Sequence, residues 1–269
     1  MMLSNIDVTI VIGFLVINLG IGLYFAKGVS TIKQYAVGKG RFNTATIAAT
    51  LVSTLISGGF FAFAIAEFYR EGIWYFIVGL GDVIVMLIIG YIIGPRAVKF
   101  LGSLSVAETM GSIYGKPTRV MTAIASIAQA IGRIALQIKV FSIIVVYLTE
   151  FNSLYVTLFG SLIVIAYSSI GGIRSVAFTD MVQFITFGVI IPLFALFIWN
   201  SFGDISKITD ILQNNENFDY SQIINYNNPK FWPYFFLLIY FLIPVLDPTL
   251  FQRILLTKNA NQIKHTFIQ

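Results

Sequence analysis

Three polar residues, Gln129, Arg133 and Gln137, recur at i, i+4 and i+8 within a long apolar stretch. This spacing places their side chains on one face of a helix. An arginine guanidinium is always charged, and its planar fork matches a carboxylate through two parallel hydrogen bonds. The chemistry that this face offers is therefore the recognition of an anionic group.

An arginine near the centre of a membrane costs about 2.5–3.5 kcal/mol on insertion scales, so we expect Arg133 to face a bundle interior and to have a partner. Asp82 lies at a similar depth in an earlier apolar segment. Two interpretations stay open: a structural ion pair between Arg133 and Asp82, or an Arg133 that binds an anionic solute. Lys139 lies about 240° around the helix from Arg133, and we expect it to extend toward the outer interface.

Two further places offer oxygen atoms, the ligands that a hard cation such as sodium prefers. Asp180 follows Arg174 by about one and a half helical turns, and a carboxylate within a membrane segment is a functional candidate by default. A structural ion pair with a neighbouring cation is the alternative for Asp180. The stretch from Ser53 to Gly59 ends in a Gly-Gly pair that favours unwinding, and an unwound helix offers its carbonyl oxygens.

The composition is that of an integral membrane protein. Of the 269 residues, 57% are hydrophobic and 11% are charged, with a mean hydropathy of +0.86, whereas soluble domains carry roughly a quarter charged residues. Cysteine is absent, and His265 is the one histidine, so neither a thiolate nor a histidine metal site is expected. We place His265 in a solvated inner loop. No set of nucleophile, acid and base is visible, so an enzyme is the least favoured class.

The elements that must position these residues are membrane helices. Stretches of about 20 apolar residues predict spanning helices. Seven stretches qualify, and they run over residues 7–26, 44–68, 73–95, 120–148, 154–171, 176–199 and 231–255. The first lacks a basic start and a clear cleavage site, so we interpret it as a retained helix. The sequence therefore predicts an all-α polytopic membrane protein.

The basic residues predict the orientation of this protein. Twelve of the 17 lysines and arginines, Arg253 among them, fall in loops on one side of the predicted membrane, and three fall on the other. This bias predicts an outer N-terminus and a cytoplasmic C-terminus, and it removes the need for a nucleic-acid partner to explain the net charge of +5.

Two of the predicted helices are interrupted, five segments apart. The second contains Ser57-Gly58-Gly59, and the seventh contains Pro244 and Asp247-Pro248. Interrupted helices in corresponding positions indicate an inverted-repeat transporter. The predicted organisation is a first helix and inner loop over residues 1–43, a five-helix repeat over 44–199, an outer loop over 200–230, and the start of a second repeat over 231–269.

The segment Tyr167–Gln183, YSSIGGIRSVAFTDMVQ, resembles the sodium:solute symporter family, in which a Gly-Gly turn leads to a Thr-Asp-x-x-Gln helix start. Four other stretches agree with that family in order along the chain: YAVGKGRF, STLISGGFF, IGRIA and DPTLFQR. The resemblance implies a fold of two inverted five-helix repeats, incomplete in this chain.

The resemblance also implies the residues of the sites. The main-chain oxygens of Ser53 and Ile56 are implied as sodium ligands beside Ser57, with Val52 and Leu55 as the alternative register. Asp180 is implied as a further sodium residue, with the Ser168 and Ser169 hydroxyls nearby. Arg133 is implied as the ligand of a solute carboxylate. The remaining residues implied near the solute are Asp82, Phe60 and Tyr240, and Gln129 shares the face of Arg133.

The function implied by the resemblance is sodium-coupled symport of a small organic solute, with a carboxylate favoured by Arg133. The expected partners are the solute, sodium as the coupling ion and membrane lipid, without another cofactor, in the cell membrane. A symporter-like sensor domain of a signalling protein and a subunit that needs a partner chain are the alternatives. Because the sequence ends after the seventh segment, we expect the N-terminal part of a split or a truncated gene, which does not transport alone; in the split case the other half is a separate chain.

Overall fold

The computed structural model describes residues 5–38, 42–149, 151–243 and 247–268. Its regular elements are helices joined by short turns, as the sequence predicts. They are α1 (Asn5–Ala26), α2 (Ile32–Val37), α3 (Thr44–Leu55), α4 (Gly58–Glu71), α5 (Ile73–Ile88), α6 (Gly94–Ala97), α7 (Val106–Tyr114), α8 (Lys116–Thr149), α9 (Ser153–Ser201), α10 (Ile205–Asn214), α11 (Phe231–Leu242), α12 (Pro248–Leu255) and α13 (Ala260–Ile268). A π-helical turn, Ile89–Ile93, joins α5 to α6.

Several helices are long and apolar enough to cross a membrane. Within the described residues there are four such helices, or five when α3 and α4 count as one bent span. The remaining apolar stretches form the shorter helices Ser153–Ala166 and Phe231–Leu242. Large apolar side chains such as Ile127 on α8 and Ile185 on α9 are about 60% exposed, as expected for surfaces that meet lipid. The molecule is therefore a multi-pass membrane protein, and seven spans in a repeated fold stay a prediction.

The interruption predicted at Ser57 separates α3 from α4. Ile56 and Ser57 have extended backbone conformations, with ψ of 98° and 160°, and the two helices are bent by 57°. Ser57 begins α4 as its N-cap, because its hydroxyl oxygen accepts a hydrogen bond from the Phe60 N–H at 3.1 Å. The Ser-Gly-Gly sequence thus ends one helix and starts the next within two residues.

The interruption predicted in the seventh segment separates α11 from α12. Helix α11 ends at Leu242, and α12 starts at Pro248 with Asp247 as its N-cap. A proline at the first helical position is favoured because its missing N–H has no partner there in any case. Pro244, which the sequence analysis also named as a breaker, lies outside the described residues.

A third break divides α9 between the fifth and sixth predicted segments. Gly172 has φ of +54° and ψ of −149°, a conformation that only glycine adopts readily. A side chain there would also meet the Tyr35 carbonyl oxygen, 2.5 Å from the position of a Cβ. The Gly-Gly turn therefore redirects α9 and brings its second half, which starts near Ile173, against α3.

A hydrophobic core of buried residues includes the region where α13 packs against the π turn, α6 and α3. Ile263 of α13 is fully buried, and it occupies the space beside Gly94, where a Cβ would lie 2.5 Å from the Ile263 Cγ2. Ile268 fills the space beside Gly90 in the same way. Gly90 and Gly94 therefore leave the room that α13 needs to pack closely. The inner loop expected after the seventh segment is wrong, because residues 260–268 form the docked helix α13, on which His265 is exposed.

The predicted outer loop over residues 200–230 is also largely helical. It contains α10 and two 3₁₀ turns, and Phe218 packs edge-on against Phe68 of α4, with ring centroids 5.6 Å apart. Lys230 pairs with Glu71 at 3.0 Å. This segment is therefore fixed to the end of α4 by aromatic and charged contacts.

Candidate functional site

Arg133 of α8 holds the carboxylate of Asp247 at the break between α11 and α12. Its Nη2 makes a close ion pair with Oδ2 of Asp247, and its Nη1 lies 3.4 Å from Oδ1. Nη1 also donates to the Thr249 hydroxyl oxygen at 3.1 Å, and the Gln129 Nε2 donates to Oδ2 of Asp247 at 3.3 Å. The guanidinium therefore binds a carboxylate with both ends of its fork, the geometry that was expected for an anionic ligand.

The two partners of this pair differ in their surroundings. The Asp247 side chain is 11% exposed, whereas that of Arg133 is 48% exposed. Asp247 accepts further hydrogen bonds from the backbone N–H groups of Thr249, at 2.7 Å, and Leu250, at 3.4 Å. The carboxylate is thus enclosed and well satisfied, while the guanidinium keeps an open side toward its surroundings.

The structural alternative weighed in the sequence analysis, an ion pair between Arg133 and Asp82, is wrong. Asp82 lies on α5 and forms no ion pair within the described parts of the chain. The break before α12 supplies the partner instead, because it turns the carboxylate of Asp247 toward α8. In the sequence, Asp247 is recognisable only as part of a helix break, so this role was missed.

The polar face of α8 also reaches the other break. A Cβ on Gly59, one residue into α4, would lie 4.0 Å from the Gln137 Oε1 and 3.4 Å from Val140. One helix face therefore meets α4 through Gln137 and α12 through Gln129 and Arg133. The aromatic residues expected near the solute, Phe60 of α4 and Tyr240 of α11, are 47% and 60% exposed.

The sodium ligands expected from the sequence, at Ser53, Ile56 and Ser57, lie at the last turn of α3 and the break that follows it. The carbonyl oxygens in the last turn of a helix receive no hydrogen bond from within that helix. Here the chain leaves the helix at Ile56. The Val52 carbonyl oxygen already accepts from the Ile56 N–H at 2.8 Å. Within the described residues no group of three or more His, Asp or Glu side chains converges on one point, so a cation here would depend on carbonyl and hydroxyl oxygens.

Asp180 of α9 lies in a second polar cluster with α3 and α12. Its Oδ2 accepts a close hydrogen bond from the Thr50 hydroxyl and lies 3.5 Å from the Nη2 of Arg253. The same Nη2 donates to the Thr54 hydroxyl oxygen at 2.7 Å, and the Ser53 hydroxyl donates to the Asp180 carbonyl oxygen at 2.8 Å. The ion-pair alternative weighed for Asp180 is therefore present, with Arg253 as the cation.

Three residues of this cluster were not singled out from the sequence. Arg253 was assigned to an inner loop, but its side chain is 4% exposed and lies between α3 and α9. Thr50 and Thr54 were missed, although Thr46, Thr50 and Thr54 recur at i, i+4 and i+8. That spacing places them on one face and was the available signal.

The serines expected beside Asp180 lie elsewhere. The Ser168 hydroxyl donates to the Val164 carbonyl oxygen of its own helix at 2.6 Å, and Ser169 is exposed. Both precede the break at Gly172, while Asp180 follows it. The hydroxyls that surround Asp180 come from α3 instead.

The sequence pattern of the sodium:solute symporter family matches residues 35–269. The chain is 27% identical over 183 residues to sodium-coupled monocarboxylate transporter 2 of Mus musculus, which covers 66% of this chain and 29% of that protein. It is 22% identical over 212 residues to a putative sodium-dependent multivitamin transporter of Drosophila melanogaster, which covers 78% of this chain and 35% of that protein. The chain thus spans about a third of the length of these relatives.

Proposed function

Because the chain belongs to the sodium:solute symporter family, a family of transporters and not of enzymes, we propose that it carries solute and sodium sites of a sodium-coupled symporter. The observation that carries the proposal is the polar face of α8, which meets both interrupted helices. Interrupted helices at membrane depth offer unpaired backbone groups to ions and substrates. Arg133, Gln129 and Gln137 lie where the two breaks approach the same helix.

The proposed solute is a small organic molecule with a carboxylate. The Arg133 fork is half exposed and has carboxylate-binding geometry, and a relative at 27% identity is named a monocarboxylate transporter. Gln129 would add an amide donor. Phe60, Tyr240 and Asp82 would line the space around the rest of the solute, where exposed aromatic rings supply apolar contact.

The proposed sodium site lies at the end of α3. Its ligands would be the carbonyl oxygens of Ser53 and Ile56 together with Ser57. The hydrogen bond already made by the Val52 carbonyl favours this register over the one that uses Val52 and Leu55. We assign Asp180 to a later contact of the ion, because Arg253 neutralises it in the arrangement described.

The proposed mechanism is alternating access around these sites. Sodium at the end of α3 would order the break before α4, and α4 meets the solute face of α8. Each ligand would then favour the same arrangement of helices, which makes their mutual effect on affinity reciprocal. No covalent step is involved, since the energy of transport comes from the sodium gradient.

The test is sodium-driven uptake of propionate by membrane vesicles from the native cells, with the protein in its normal setting. We expect uptake with an inward sodium gradient, and a loss of at least tenfold in Arg133→Gln because the carboxylate loses a bidentate partner. Lys139→Gln is the matched control, since it removes a cation from another face of the same helix and should keep uptake. Equal uptake by Arg133→Gln and the unaltered protein would refute the assignment of Arg133.

A further inference from the structure

The fork of Arg133 holds a carboxylate of its own chain, in the two-ended geometry that a solute carboxylate would need. We propose that Asp247 is a specificity-determining residue, because its carboxylate already occupies both ends of the Arg133 fork and a solute carboxylate takes the same two-ended position by displacing it. The inference rests on the proposed function, since it assumes that Arg133 is the solute ligand. Beyond that function, Asp247 would set which solutes bind to Arg133 and how tightly they bind.

Asp247 is placed so that it can give up Arg133 without becoming an unsatisfied buried group. It accepts from the Thr249 N–H at 2.7 Å, the Leu250 N–H at 3.4 Å and the Gln129 Nε2 at 3.3 Å. These three donors remain when Arg133 turns to another anion, and hydrogen bonds at a helix N-terminus stabilise a carboxylate. Arg133 exchanges one carboxylate for another, so its own bonding is preserved.

The exchange explains how neutral solutes would be rejected. An amide of the same shape carries no charge and offers one oxygen acceptor, so it competes poorly against an ionised carboxylate with two. A solute anion gains only the difference between its own pairing and that of Asp247. The internal carboxylate therefore raises selectivity for anions at the cost of absolute affinity.

The same exchange predicts a link to sodium. With Asp247 and one solute anion both near Arg133, the local charge becomes negative by one unit, and a cation nearby lowers the electrostatic cost. Without the Asp247 charge, the solute and Arg133 balance each other. Carboxylate binding should then depend less on sodium, which is a response that a merely structural role of Asp247 would not produce.

The experiment measures the affinities of propionate and propionamide, by calorimetry, for the protein purified from its native membrane at fixed sodium. The variants are Asp247→Asn and Asp247→Ser, both of which keep a residue that caps helices well, and Arg133→Gln. Asp219→Asn is the control, because Asp219 is an exposed carboxylate that also bonds to a backbone N–H two residues on. Thermal melting reports the folding of each variant.

We expect both Asp247 variants to bind propionate about three- to tenfold more tightly, with propionamide unchanged and a smaller effect of sodium. Unchanged or weaker propionate binding in the two variants would overturn the inference, and so would equal tightening of propionate and propionamide. Arg133→Gln separates the two proposals. If it keeps propionate affinity, the proposed assignment of Arg133 as the solute ligand fails; if it loses affinity while the Asp247 variants do not tighten, only the role of Asp247 fails.

Discussion

Arg133 and Arg253 are two arginines that each face an aspartate, in opposite surroundings. The Arg133 side chain is 48% exposed, whereas that of Arg253 is 4% exposed. An open guanidinium can exchange one anion for another, while an enclosed one is held by its partners. Arg253 is enclosed so fully that its buried Nε makes no hydrogen bond within the described residues. The first arginine is therefore suited to a ligand and the second to fixing helices.

The buried pair should matter more for stability than an exposed one. Removing one member of a buried ion pair typically costs about 3–5 kcal/mol, because the other charge stays uncompensated. We expect Arg253→Met to lower the thermal midpoint strongly, and Asp180→Asn added to Arg253→Met to recover part of the loss. Arg70→Met is the control, since its side chain is 67% exposed beside Glu67 and such pairs contribute about 0–1 kcal/mol.

Equal thermal midpoints for Arg253→Met and Arg70→Met would contradict this account of the buried cluster. So would a double variant that melts lower than Arg253→Met alone, because that would mean that Asp180 is stable without a cation.

The spacing of polar residues in the sequence showed which side chains share a helix face, but not which residues they contact. The i, i+4, i+8 pattern predicted that Gln129, Arg133 and Gln137 share a face. The partner Asp247 lies 114 residues further along the chain than Arg133, and it reaches α8 only because α11 and α12 are not continuous. A pattern local to one helix contains no information about such a contact, so Asp82, which has a similar predicted depth, was chosen instead.

Helix α12 is the element that joins the two polar clusters. Asp247, before its first turn, pairs with α8, and Arg253, near its end, pairs with Asp180 of α9 and Thr54 of α3. A shift of α12 would therefore alter both the proposed solute ligand and the acid proposed to meet sodium. Rigid elements that bias two sites at once are the physical basis of coupling between them.

Helix α13 should depend on the glycines that make room for it. A Cβ on Gly94 would lie 2.5 Å from Ile263 Cγ2, so we expect Gly94→Val to displace α13 and to speed hydrogen exchange of residues 260–268. Gly79→Val on α5 is the control, because a Cβ there meets no atom within 4 Å. Unchanged exchange of α13 in Gly94→Val would contradict the docking of this helix.

The elements were partly predictable. Ser-Gly-Gly and Asp-Pro have local effects on the backbone, so both breaks could be placed from the sequence. Helix α13 was missed because its segment is short and mostly polar, and its helical form depends on burial of Ile263 and Phe267 in the hydrophobic core. Such burial is a tertiary effect that outweighs local preference.

At the scale of the whole molecule, apolar helices present exposed side chains outward while polar groups gather at the helix breaks. The breaks at residues 56–57 and before Asp247 both meet α8 or α9, so ions and solute would act on one connected set of helices. This arrangement predicts that sodium and solute do not bind independently. Membership of the family and the all-helical architecture could be predicted from ordered motifs and apolar lengths, because both depend on local sequence.

The most direct test of the account is the reciprocity of sodium and carboxylate binding. Calorimetry on the protein purified from its native membrane would give the affinity for propionate at low and saturating sodium, and the affinity for sodium with and without propionate. We predict that sodium tightens propionate binding about five- to 150-fold and that propionate tightens sodium binding by the same factor. Affinities for propionate that are equal at low and saturating sodium would contradict the central claim.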